Sequence, residues 1–192
     1  MRLRLKLAAG VAVLGVAGVG TAAIAHDNSR FDAQLTGYEE IPTLSTQGSG
    51  NFKAWINRGA DEIRYTLSYA GPFDANPAGG TVTQAHIHLG ARAFSGGIIA
   101  FLCTNLGNGP AAAPPPACPP APATVSGTIT PASVVGPANQ GIAAGEFAEL
   151  VRALRAGAAY ANVHTTTFPA GEIRGQISDD DGDDQGGDRG DH

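Results

Sequence analysis

Charge is scarce in this 192-residue chain: Asp, Glu, Lys and Arg together make up 15% of it. Lysine is nearly missing, with Lys6 and Lys53 alone, and the formal net charge is −5. A chain so poor in cations lacks the basic face that neutralises a phosphate backbone, which excludes a nucleic-acid binder. Catalytic signatures are missing too: there is no G-x-S-x-G elbow, no H-E-x-x-H zinc motif and no G-x-x-x-x-G-K-[ST] phosphate loop. Past residue 23 no apolar run is long enough to cross a bilayer. Cysteine is limited to Cys103 and Cys118. What the chain does have is 43% hydrophobic residues, enough for a core, with 27 glycines and 13 prolines. Both of those residues break helices, so a helical bundle or coiled coil is excluded as well.

The N-terminus carries its own pattern. Arg2, Arg4 and Lys6 precede an uncharged apolar stretch from Leu7 to Ala23, and Ala23-Ile24-Ala25 is a small-x-small cleavage site. Residues 1–25 therefore read as a secretory signal peptide, with 26–29 as a short lead-in. Cleavage removes three positive charges and takes the formal charge from −5 to −8. No membrane span is expected after it, and the address is secreted, periplasmic or extracellular. Exported chains meet oxidising conditions, so Cys103 and Cys118 read as one disulfide pinning the Pro-rich loop between them. That pairing leaves no free thiol nucleophile. Residues 178–192 have no apolar side chain and hold seven acids. They read as a disordered acidic tail rather than a calcium loop, because Asp184 and Gly190 stand where an EF-hand needs glycine and glutamate.

Between these ends, 30–177 reads as one domain of short alternating segments. Ile63, Tyr65, Leu67 and Tyr69 fall on one face of the clearest strand. Further strands are expected at 31–35, 51–56, 81–89, 97–103, 124–130, 158–164 and 171–177. Eight short strands with turn residues between them predict an antiparallel β-sandwich or barrel. One segment changes period: Phe147, Leu150, Val151 and Leu154 make one face of a helix over 146–156, with Gly157 placed to end it.

The chemistry-bearing residues lie on those strands. His86 and His88 are two apart, so both imidazoles leave the same face of a strand, close enough to grip one ion. His164 shares a face with Asn162 on a later strand, and Glu172, Arg174 and Gln176 share a face of the next. A mononuclear site follows: His86, His88 and His164, with Glu172 as fourth ligand or supporting partner, holding zinc or copper. The competing expectation is a hydrogen-bonded polar cluster in which Arg174 braces a carboxylate or backbone carbonyls. His26, at the expected new N-terminus, is a separate possible copper chelator. Glu39 and Glu40 are adjacent, so as strand residues they face opposite ways; a surface or strand-end role is expected for them, not paired acid–base work.

Ala85-His86-Ile87-His88-Leu89-Gly90, Gly157 through Thr165, and Phe168-Pro169-Ala170-Gly171-Glu172-Ile173-Arg174-Gly175-Gln176-Ile177 together resemble the CHRD domain. The opening Phe31-Asp32-Ala33-Gln34-Leu35-Thr36-Gly37-Tyr38-Glu39-Glu40-Ile41-Pro42 resembles its N-terminal signature. The resemblance, over about 30–177, implies an immunoglobulin-like sandwich with a distant likeness to copper/zinc superoxide dismutase. It implies no enzymatic activity, and a partner that is an extracytoplasmic protein or envelope ligand. One further histidine besides the His-x-His pair is too few for a dinuclear copper–zinc site, so dismutation is not expected. The expectation is an all-β, non-enzymatic secreted interaction module, with mononuclear metal binding as the alternative.

Overall fold

A computed structural model describes residues 30–73 and 80–180. The expected signal peptide, the expected lead-in with His26 and most of the expected acidic tail lie outside the described residues. The strands are β1 (Arg30–Thr36), β2 (Ser49–Ile56), β3 (Ile63–Ala70), β4 (Val82–Leu89), β5 (Ile98–Thr104), β6 (Ala123–Ile129), β7 (Ala159–Thr165), β8 (Ile173–Gln176) and β9 (Ser178–Asp179). The helix α1 (Phe147–Arg155) sits between β6 and β7.

Alternation builds the strands as expected. In β3, Ile63, Tyr65, Leu67 and Tyr69 are buried, and Arg64 and Ser68 are exposed. Phe31, Ala33 and Leu35 do the same in β1, and Phe52, Ala54 and Ile56 in β2. The β2–β3 turn is held by Asn57, whose side chain donates to Asp61 Oδ1 at 2.7 Å and accepts from Asp61 N at 3.1 Å. The helix buries Phe147, Leu150, Val151 and Leu154 in the common core. It ends where Gly157 takes a φ of +60°. There Gly157 N donates to Leu154 O at 3.0 Å and Ala158 N to Ala153 O at 2.9 Å, the paired bonds of a Schellman cap.

All pairings are antiparallel, in the order β5-β4-β7-β8-β1-β2-β3-β6, with β9 on β1. The sheet curls until its outer strands approach, nearly closing a barrel around the core. Tyr65 Oη donates to Leu102 O at 2.5 Å across that seam, and Cys103 and Cys118 are joined as a disulfide beside it. The all-β, antiparallel, one-helix expectation holds among the described residues, but the hydrogen bonding runs through one curled sheet. Ser178 and Asp179, read in the sequence as the start of the tail, pair instead with Asp32 and Phe31. Their backbone bonds to β1 outweigh what their side chains suggest.

Candidate functional site

The register of β4 on β7 sets His86 opposite Asn162, His88 opposite Tyr160 and Gln84 opposite His164. Directly opposed residues of antiparallel strands share a face. The small apolar side chains Ala85, Ile87, Ala161 and Val163 point to the core, so the polar set is on the outer face of the sheet. That outer face is nevertheless closed: His86 is 0% exposed, His164 5% and His88 8%.

The three imidazoles meet. One ring nitrogen from each can be chosen so that all three lie within 4.8 Å of one another. His86 Nδ1 stands 3.0 Å from His164 Nε2. His88 Nδ1 stands 2.9 Å from Gly96 O, and His164 Nδ1 3.1 Å from Pro169 O. A carbonyl oxygen only accepts, so His88 and His164 carry their protons on Nδ1 and present Nε2 as a lone pair. His86 then donates from Nδ1 to His164 Nε2, which leaves its own Nε2 as a lone pair. The Nε2 atoms of His86 and His88 are buried without a hydrogen-bond partner. Burial holds all three rings in the neutral form, assisted at His86 by the neighbouring histidines. His86 is pushed down to about 2 and His88 to about 4, and His164 is also lowered.

Around the cluster the walls are aromatic and the outer ring is charged. Phe101 meets His86 edge-on at 4.5 Å between centroids, and Tyr160 stacks on His88 at 4.9 Å. The Arg174 guanidinium lies 3.4 Å from the Tyr160 ring centroid and donates to Ala91 O at 3.1 Å and Phe94 O at 2.9 Å. Of the two roles expected for Arg174, the structure has the one on backbone carbonyls, and through it the 90–97 loop is fastened over the histidines. Arg92 of that loop pairs with Glu39 of the 37–44 segment.

Glu172 does not join the cluster. The ladder register would set it opposite His164, but it precedes β8, directly after Gly171 at a φ of +134°. Its carboxylate accepts from Thr46 Oγ1 at 2.7 Å and Thr165 Oγ1 at 2.6 Å. The carboxylate expected to complete a metal site is thus held by two hydroxyls.

Sequence reasoning missed Glu40. A surface or strand-end role was expected for it, yet it is buried and accepts from Asn162 Nδ2 at 2.5 Å. Burial pushes its carboxyl up to about 7, against the opposing pull of Asn162 and Arg174. Gly171 makes room for this contact, since a Cβ there would lie 2.7 Å from both Asn162 Nδ2 and Glu40 Oε1. The one local signal was Asn162, a polar residue on the histidine face with no evident partner.

The family model of the CHRD domain matches residues 31–177. The chain belongs to the CHRD family. No curated protein and no solved structure matched it. The CHRD match takes in every residue of the histidine cluster and both segments that cover it, so the cluster belongs to the domain itself. For this CHRD domain the arrangement is poorly suited to hydrolysis: the imidazoles bond to carbonyls and to one another, without the hydroxyl or thiol that a nucleophile–base pair needs. It suits a metal ion, because the rings are neutral, the free lone pairs of His86 and His88 are buried, and His88 and His164 are oriented by carbonyls as metal-ligating histidines are.

Proposed function

We propose that this CHRD domain is a non-enzymatic, extracytoplasmic binding module whose ligand is a single metal ion held by His86, His88 and His164. The observation that carries the reading is the pair of buried, unpartnered Nε2 atoms on His86 and His88, beside a third imidazole already oriented by Pro169 O. A buried lone pair without a donor costs stability unless something binds it. The test is metal analysis of the exported protein purified without a histidine tag. About one equivalent of zinc or copper is expected, lost in His86→Ala. Folded protein that takes up neither ion overturns the site and leaves a hydrogen-bonded cluster.

The Cys103–Cys118 disulfide supports an oxidising compartment, and none of the described helices is long and apolar enough to cross a membrane. Secreted protein whose first residue is His26 would establish the export reading; a retained Leu7–Ala23 segment would overturn it. A protein or envelope partner is the second reading. It is favoured by exposed Tyr38, Ile41 and Phe94 on the two segments that cover the cluster. Loss of cell-envelope or partner binding in Phe94→Ser, with metal content intact, would separate it from the first.

We also read the curled sheet as an immunoglobulin-like or superoxide-dismutase-like sandwich of two four-stranded leaves. In support, β1 meets β8 through the single register pair Thr36–Arg174, a thin seam between two full ladders. An experimental structure with a continuous β1–β8 ladder would count against it.

A further inference from the structure

We infer that the three-histidine cluster selects monovalent copper over zinc and other divalent ions. The inference rests on the metal-site reading above and names the ion.

Donor count is the first argument. Zinc sites are four-coordinate, closed by a fourth protein ligand or by a bound water. The two buried carboxylates among the described residues are engaged elsewhere, Glu172 with Thr46 and Thr165 and Glu40 with Asn162. Three imidazoles remain, their rings 0%, 8% and 5% exposed and walled by Phe101 and Tyr160. A filled d-shell monocation accepts two or three nitrogen donors with no water, and imidazole is an accepted copper ligand.

Charge is the second. All three donors are neutral, so the ion keeps its whole charge in a dry site. The cost of burying an ion rises with the square of its charge, roughly fourfold from a monocation to a dication. The Arg174 guanidinium, stacked on the ring that stacks on His88, adds repulsion that is twice as large for the dication. With no carboxylate ligand to offset these terms, the monocation is favoured.

Spacing agrees. Nitrogens about 2 Å from a shared ion stand about 3.5 Å apart in a trigonal plane and about 4 Å apart in a line. One nitrogen from each of the three rings fits within 4.8 Å of the others, close to those values, and His164 Nε2 becomes a ligand once the hydrogen bond it accepts from His86 Nδ1 opens.

The test is anaerobic titration of the untagged exported protein with cuprous ion buffered by a chromophoric chelator, in parallel with zinc ion buffered likewise. One equivalent of cuprous ion is expected, undisturbed by a tenfold excess of zinc, with a copper absorption edge typical of three nitrogen ligands. His164→Gln, and independently His88→Ala, weaken cuprous binding at least tenfold while circular dichroism confirms the fold. Glu172→Gln leaves it within about twofold. Zinc binding as tight as cuprous binding, or a tenfold loss in Glu172→Gln, overturns the copper inference alone. Binding of neither ion overturns it together with the metal-site reading.

Discussion

The outer faces of the two halves of the sheet are polar for the same reason and end up in opposite environments. On β2, β3 and β6 the outward residues include Lys53, Arg64, Ser68 and Thr124, exposed to solvent. A groove of about 590 Å³ on that half is lined by Gln34, Asn51, Ser68 and Thr124, with no cluster of titratable side chains. On β4, β7 and β8 the outward residues include His86, His88, Asn162, His164 and Arg174, which are buried, with Gln84 and Gln176 half-buried toward the strand ends. β7 is buried at every one of its seven positions, whereas β3 alternates. Alternation marks a face as polar; two covering segments make it dry. A dry polar face must satisfy itself or bind something; the His86–His164 bond and the carbonyl contacts satisfy part of this one and leave two Nε2 atoms without a partner.

The largest difference between the halves is expected in acid. Burial lowers the three histidines below their usual 6.5, so above that pH both folded and unfolded chains hold them neutral and no destabilisation results. As pH falls below 6.5 the unfolded chain takes up protons that the folded chain refuses. Stability then drops, by up to about 1.4 kcal/mol per pH unit for each histidine, and the loss continues toward the folded values. Urea midpoints of metal-free protein at pH 7 and pH 5 measure this. Replacing the three histidines by phenylalanine or glutamine should flatten the profile; an unchanged profile would show that the dry face does not control acid stability.

Arg174→Met comes next. It leaves Phe94 O without its side-chain donor, while Ala91 O keeps Phe94 N at 3.1 Å, and should cost about 2 kcal/mol, with faster amide exchange over 91–97. Arg64→Met on the solvated face, whose partner is the nearby Glu62, should cost under about 0.5 kcal/mol. Equal effects in denaturant unfolding would erase the distinction between the faces.

Glu40→Gln is smaller and runs the other way. With its carboxyl raised to about 7, Glu40 favours the fold below pH 4.5 and loses that contribution as pH rises through 7. The amide still accepts from Asn162, so at pH 8 the variant should be about 1 to 2 kcal/mol more stable than the parent by thermal or urea unfolding. A less stable variant at pH 8 would mean that the ionised carboxylate is what the Arg174 side of the face requires. Least of all, Ser68→Ala removes an exposed hydroxyl pair with Thr124 and should shift stability by under about 0.5 kcal/mol. A larger shift would show that the outer face of β3 is not simply solvated.

Residue types and period settled a good deal on their own. Period-two alternation placed Ile63 through Tyr69 as a half-buried strand, and the i, i+3, i+4, i+7 spacing of Phe147 to Leu154 placed the helix, because each face needs one partner surface. With two cysteines, the disulfide had one possible intramolecular pairing. His86 and His88 shared a face by spacing alone. Tertiary structure decided the rest. The sequence says nothing of which polar face will be roofed, since the 37–44 and 90–97 segments meet it only after the sheet curls. It could not tell that the chain turns at Gly171 and carries Glu172 to Thr46, or that Glu40 would reach Asn162 across 122 residues. Strand alternation is a local property of consecutive backbone units, while desolvation depends on what distant segments cover, and the chemistry of this domain is set by desolvation.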